Sequence, residues 1–280
     1  MPFAPHGDCS IYYDTFGDPS NATLLMVNGL GSQCINYADA WCEMFAVHDL
    51  HVVRYDNRDV GLSTKFDDAP PGEHGEAYRV ADMAADGFAV LDALGIERAH
   101  VMGLSMGGMI VQTMAIEHPE RVITMTSVMS STGEADYMKS TPRAAQLLTA
   151  PPATDRDGYI QHWIDGQKEW GSPAFADEER WRADAARAFD RSFHPSGSGR
   201  QYLAIRASGD RTAGLRALTV PTLVMHGDSD TLIDQIGGRR TAELVPGARF
   251  ELIEGMGHDY PPQLWRTWVD LVVGHVQSHA

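Results

Sequence analysis

Apolar residues along the chain gather into short unbroken runs. Ala22–Asn28, Leu50–Asp56, Ala99–Gly103, Arg121–Met129, Thr222–His226 and Ala248–Glu254 are such runs. Runs apolar on both faces suit strands of a buried parallel sheet. Ser10–Phe16 reads as a further short strand, closed by the turn Gly17-Asp18-Pro19. Helical patterns lie between them, over Ala38–Ala46, Tyr78–Leu94, Met106–Glu117 and Pro262–Val276. In the second, Val80, Met83, Ala84, Phe88, Val90, Leu91 and Leu94 form the apolar set, and Gly95 stops the helix. Alternating strand and helix predicts an α/β fold, a doubly wound and mostly parallel sheet with right-handed crossovers.

One stretch breaks the rhythm. Residues 132–213 hold no strand-like run and several helical windows, with Tyr137, Tyr159, Trp163, Trp170, Phe175, Trp181, Phe189, Phe193 and Tyr202 among them. The sheet pattern resumes at Val220-Pro221. The expected organisation is a core domain of residues 1–131 and 214–280, with 132–213 inserted as a helical cap.

Charge divides the chain the same way. The formal net charge is -16, yet Gly133–Ala213 holds 12 acids and 11 bases, so nearly all the excess lies outside the insert. That acidity argues against a general nucleic-acid surface. No run of ~18 apolar residues occurs, so no membrane span is expected. Met1–Asp8 has neither a basic start nor an apolar stretch, so no secretory signal is expected. Cys9, Cys34 and Cys42 form no C-x-x-C pair, and a reducing cytoplasm is the expected setting.

The sharpest chemical signal is Gly103-Leu104-Ser105-Met106-Gly107, a single G-x-S-x-G between an apolar strand and a helix. A nucleophile on a tight strand-to-helix turn needs small neighbours two residues away on both sides, and the turn lifts the hydroxyl above the sheet. A serine hydroxyl needs a base, and the base needs an orienting acid. In this architecture they follow in the order Ser, acid, His. His258, in Glu254-Gly255-Met256-Gly257-His258-Asp259 after the last strand, is the expected base. The loop after Thr222–His226 offers Asp228, Asp230 and Asp234; Asp230 is preferred, with Asp228 read as a turn or capping carboxylate. A tetrahedral intermediate needs two N–H donors, and Met106, after the nucleophile, supplies one.

These features together resemble the serine-esterase branch of the α/β-hydrolase fold with a helical cap. The resemblance covers nearly the whole chain and places the acid at Asp230 and the second oxyanion donor at Leu30. Arg54-Tyr55-Asp56-Asn57-Arg58-Asp59-Val60-Gly61-Leu62-Ser63 is similar to the family's D-x-R-x-x-G-x-S element, with Asp59 where many members have Gly. That variant, with Val27-Asn28-Gly29-Leu30 and Leu104-Ser105-Met106-Gly107, resembles the aclacinomycin-type polyketide methylesterases. Asp56 and Arg58 are expected to brace loops. Many relatives begin the oxyanion loop with His-Gly, where this chain has Asn28-Gly29.

A dinucleotide-binding rival rests on Gly29-Leu30-Gly31-Ser32-Gln33-Cys34, which lacks the third glycine and leaves Ser105, Asp230 and His258 unexplained. No metal-ligand spacing occurs, and no cofactor is implied. Ser105 at the elbow argues against dehalogenases and epoxide hydrolases, which resemblance says use Asp there. Lactonases, C–C bond hydrolases, cofactor-free perhydrolases and a non-enzymatic ligand-binding relative remain rivals, because the fold does not select among them. The expectation is a carboxylic-ester hydrolase acting on apolar small molecules. Met129, Met138, Trp163, Trp170 and Trp181 are the expected pocket wall. Oligomeric state is not legible.

Overall fold

The computed structural model describes residues 2–279. Met1 and Ala280, the outer ends of the expected core segments, lie outside the described residues. Eight strands build one sheet: β1 Phe3–His6, β2 Cys9–Phe16, β3 Ala22–Val27, β4 Leu50–Tyr55, β5 Ala99–Leu104, β6 Val122–Val128, β7 Thr222–Gly227 and β8 Arg249–Ile253. Their spatial order is β1-β2-β4-β3-β5-β6-β7-β8. β2 runs antiparallel to β1 and β4, and every other neighbouring pair is parallel.

The helices are α1 Asp39–Ala46, α2 Val80–Ala93, α3 Met106–Glu117, α4 Pro142–Leu148, α5 Arg156–Trp170, α6 Glu178–Arg191, α7 Pro195–Ser208, α8 Thr212–Ala217, α9 Ile236–Leu244 and α10 Trp265–Gln277. None is long and apolar enough to cross a membrane among the described residues.

The unbroken apolar runs have a direct cause. Neighbouring residues of one strand point to opposite faces, and both faces are covered. Leu25, Val53 and Val101 pack with Met83 and Leu91 of α2 and Ile110 and Met114 of α3. Their neighbours Leu24, Val52 and Met102 pack on the other side with Trp41 and Phe45 of α1 and Trp268 and Val272 of α10. α3 lies deepest, with every residue from Met106 to Ala115 buried. A helix apolar all round is a helix buried all round, and this one carries the serine at its N-terminus.

Two elements were not legible. β1 has four residues, one of them Pro5, and exists as a hairpin on β2 through a turn with Gly7 at φ 58°. α9 contains the pair Gly237-Gly238, and glycine is a poor helix former. Its glycines serve contact: a Cβ at 237 would stand 3.0 Å from the Ser131 Cβ, and one at 238 would stand 2.5 Å from His226 Nδ1.

Between β6 and β7 the described chain is helical and contains no strand. α5 and α6 pack on each other around Ile160, Ile164, Trp181 and Ala185. Tyr159, Phe189 and Phe193 add a ring cluster with centroids 4.5 to 5.9 Å apart. α8 runs across the expected boundary at 213 and packs against α3 and α9.

Candidate active site

β5 ends at Leu104 and α3 begins at Met106, so Ser105 alone makes the turn. It sits at φ 56° and ψ −119°, in the left-handed half of the map where a non-glycine residue is strained by about 1–3 kcal/mol. The surroundings hold it there. Ser105 N–H donates to Val128 O at 2.9 Å, and the Ser130 hydroxyl donates to Ser105 O at 2.8 Å. The flanking glycines are steric requirements. A Cβ on Gly103 would lie 2.0 Å from Gly107 O, and one on Gly107 would lie 2.0 Å from Val27 O.

The loop after β3 covers the serine. A Cβ on Gly29 would stand 3.3 Å from the Ser105 Cβ and 3.8 Å from its Oγ. The next residue is Leu30, whose N–H meets no acceptor among the described residues, whereas Gly31 N–H is taken by Gln201 Oε1 at 2.8 Å. Met106 is the first residue of α3, where an amide has no partner four residues back within its own helix.

The strands bring the other two residues to the same edge. Leu104 is level with Val128, and Val128 with Met225. Asp230 and His258 follow β7 and β8 at that edge. His258 Nδ1 lies 2.7 Å from Asp230 Oδ2, with the carboxylate buried. Asp230 Oδ1 accepts from the N–H groups of Leu232 and Ile233, each at 2.9 Å. Burial acts to raise the Asp230 carboxyl, but the neighbouring His258 and His226 outweigh it and hold it down at about 2. Asp228 is exposed and accepts from Gly255 N–H at 2.8 Å, the behaviour of a turn carboxylate. Asp234 accepts from Ile236 N–H at 2.9 Å, ahead of α9.

The helical segment reaches this edge. His258 N–H donates to Trp170 O at 2.5 Å. Gly257 packs on Gly171, and its N–H donates to Ser172 Oγ at 2.9 Å. Ser172 donates both N–H and hydroxyl to Asp259 Oδ1. Burial raises the Asp259 carboxyl and these Ser172 bonds pull it back. Thr231 Oγ1 donates to Glu169 O at 2.8 Å, so residues 169–172 clasp both loops.

The expected wall residues divide. Trp170 is tied through its carbonyl to His258; Met129 follows β6 at φ 41°, buried beside Met225 and Met256; Met138 packs on the α2–α3 side of the core. Trp163 and Trp181 pack in the α5–α6 core, against Ile160 and Ile164. Sequence reading missed Ser130, Ser172 and the Trp170 carbonyl, since a serine and a backbone oxygen carry no signal until the chain folds back on them.

The Asp56–Ser63 element braces the same edge. Asp56 accepts from Cys34 N–H at 2.7 Å and Leu62 N–H at 2.8 Å, and pairs with Arg191 at 2.8 Å. Its carboxylate fills the space where a Cβ of Gly61 would be. Arg58 grips Asp86 through Nε at 2.6 Å and Nη2 at 2.8 Å. Asp59 sits at φ 70°, which explains why glycine suits this position. The aspartate is held there by Arg200 through two bonds of 2.8 Å, by Tyr78 Oη at 2.6 Å and by Phe66 N–H at 2.8 Å. Among the described residues, no three His, Cys, Asp or Glu side chains converge as a metal site requires.

Rhodomycin D methylesterase DauP of Streptomyces sp. (strain C5) is 27% identical over 300 residues, covering 97% of this chain and 96% of that protein. Putative carbamate hydrolase RutD of Azorhizobium caulinodans is 26% identical, covering 93% and 92%. The crystal structure of the enol-lactonase from Burkholderia xenovorans LB400 matches with a TM-score of 0.77 at 23% identity, over 99% of this chain and 100% of that one. The methylesterase likeness agrees with the resemblance read from the sequence. The sequence model of the alpha/beta hydrolase fold matches residues 22–260, and with this sheet order and elbow the chain belongs to the alpha/beta hydrolase fold family.

Proposed function

We propose that the chain is a serine hydrolase that cleaves carboxylic esters of apolar small molecules through an acyl-enzyme on Ser105. The observation that carries this reading is the 2.7 Å bond between a buried, ionised Asp230 and His258 Nδ1, at the sheet edge where the strained Ser105 turn ends β5. Asp230 fixes the imidazole with Nδ1 protonated, leaving Nε2 as the base. Nε2 takes the Ser105 proton as Oγ bonds to the ester carbonyl carbon. The N–H groups of Leu30 and Met106 hold the resulting oxyanion. The C–O bond to the alcohol then breaks, and the imidazolium returns its proton to the leaving alkoxide. Water, deprotonated by the same nitrogen, adds to the acyl carbon; the C–Oγ bond then breaks, Oγ takes the proton back from Nε2, and the acid leaves a restored Ser105. This sequence uses side chains and backbone amides throughout, and the chain's partner is the small-molecule ester itself.

Residues 132–213 serve as the cap in this reading. Met129, which directly follows β6, and Trp170, bonded through its carbonyl to His258, are the wall of this pocket, with Met138 behind them against the core and Trp163 and Trp181 stiffening the lid from within. An apolar acyl group and a small alcohol such as methanol fit a lid of this composition. A cytoplasmic setting suits its buried free thiols Cys9, Cys34 and Cys42. A lactone is an internal ester, so the same steps open one, and the likeness to an enol-lactonase supports including lactones among the substrates tried.

A fluorophosphonate probe should label the protein at Ser105 alone. Ser105→Ala should lower ester turnover by roughly a million-fold with the fold retained. Labelling elsewhere, or an active alanine variant, overturns the reading. Matched neutral and charged acyl esters should show higher kcat/KM for the neutral member.

A further inference from the structure

Two imidazoles approach one oxygen of Asp230. His258 Nδ1 lies 2.7 Å from Oδ2, and His226 Nε2 lies 3.3 Å from the same atom. His226 is the fifth residue of β7 and wholly buried, and the steps above give it no task. Its Nε2 also lies 2.8 Å from Ile233 O. Both neighbours of Nε2 are acceptors, so Nε2 carries the hydrogen. Nδ1 meets no polar partner and faces Gly238 of α9, where a Cβ would stand only 2.5 Å away. Glycine there leaves the ring just enough room.

The contacts form a closed circuit. His226 Nε2–H donates to Ile233 O, Ile233 N–H donates to Asp230 Oδ1 at 2.9 Å, and Asp230 Oδ2 stands 3.3 Å from the same Nε2 as a closing polar contact rather than a second hydrogen bond. A carboxylate offers about four acceptor sites. Here Leu232 N–H, Ile233 N–H, His226 Nε2 and His258 Nδ1 surround them. The terminal torsion of an aspartate is broad when nothing restrains it; here donors stand against both oxygens.

We propose that His226 is a positioning residue for Asp230: its Nε2–H, set between Ile233 O and Asp230 Oδ2, fixes the turn 230–233 and aims the carboxylate at His258. This rests on the reading of Ser105, Asp230 and His258 as hydrolytic machinery, and the experiment separates the two. Glutamine can place an amide N–H where the imidazole has Nε2–H, whereas asparagine falls short of it. His226→Gln, His226→Asn and His226→Leu would be compared with wild type for kcat and KM on a short-chain ester, for fluorophosphonate labelling, and for the low-field imidazole N–H proton resonance of His258 by NMR. His226→Gln should keep kcat within about threefold of wild type, while His226→Asn and His226→Leu lose about 10- to 100-fold in kcat with little change in KM, the range expected when the buried Ile233 carbonyl loses its donor and the turn that holds Asp230 loosens. Their low-field resonance should broaden or vanish and the glutamine variant's should persist. Equal rates in all variants, or equal losses and equal spectra for glutamine and asparagine, overturn the proposal. If His226→Leu fails to fold, the glutamine–asparagine pair decides. If wild type neither turns over esters nor takes the probe, the hydrolase reading fails, and the resonance still reports whether His226 holds Asp230 to His258.

Discussion

The backbone N–H of His258 donates to the carbonyl of Trp170 at 2.5 Å, so the last residue of α5 anchors the loop that carries the histidine. Ser172 completes that anchor, donating its hydroxyl to Asp259 and accepting from Gly257 N–H. Ser172→Ala removes both bonds, leaving Gly257 N–H without a partner in a buried place and Asp259 with only the backbone N–H of residue 172. Stability should fall by about 1.5–3 kcal/mol, measured by urea unfolding. The kcat of the folded variant should fall with it while its KM holds, because the histidine's loop rather than the pocket has been loosened.

Asp230 and Asp228 stand two residues apart and do different work. Asp230→Asn should cost roughly 10⁴-fold in kcat, as when a triad carboxylate becomes its amide. Asp228→Asn should change kcat by less than about threefold, because an exposed turn acceptor is worth little. Steady-state kinetics of the two variants checks this, and a reversed result would give the orienting role to Asp228.

The pH dependence follows from the same carboxylate. Its pKa is lowered in the fold to about 2, below the ordinary value near 3.9. The stability it contributes is therefore fully present above about pH 4 and is lost as pH falls toward 2. Asp230 stays ionised across the whole working range, so its protonation should take no part in the pH dependence of kcat/KM above about pH 4. An acid limb of kcat/KM that fits the uptake of two protons in that range contradicts an ionised Asp230.

Arg200 of α7 neutralises Asp59, whose side chain is wholly buried. Arg200→Met leaves that carboxylate with Tyr78, the Phe66 amide and His194 at 3.7 Å, and without its guanidinium. The loss should be about 3–5 kcal/mol, the cost of breaking a buried pair from one side. Asp59→Gly should cost less, since it removes the buried charge and relieves the positive φ. Thermal or urea unfolding of both variants tests the order.

The sequence by itself determined the strands β2 to β8, the elbow and the chain order Ser105, Asp230, His258. These are local consequences. Leu24-Leu25 and Val52-Val53 had to be apolar at every position because both faces of the sheet are covered. Gly103 and Gly107 had to be glycine because backbone atoms occupy the space of their Cβ atoms. Asp230 and His258 announced themselves by standing just after strand ends, with Gly227 and Gly257 close by. What only the tertiary structure decided depends on chain segments far apart in sequence. Ser172 clasps Asp259 across 87 positions, Arg200 pairs with Asp59 across 141, and Gln33 is held under the end of α6 across 155. A serine, a glutamine or a carbonyl has the same local signature whether it meets solvent or a buried partner. The burial of Trp163 and Trp181 in the α5–α6 core has the same origin, because helical periodicity gives a face its polarity without saying which neighbour covers it.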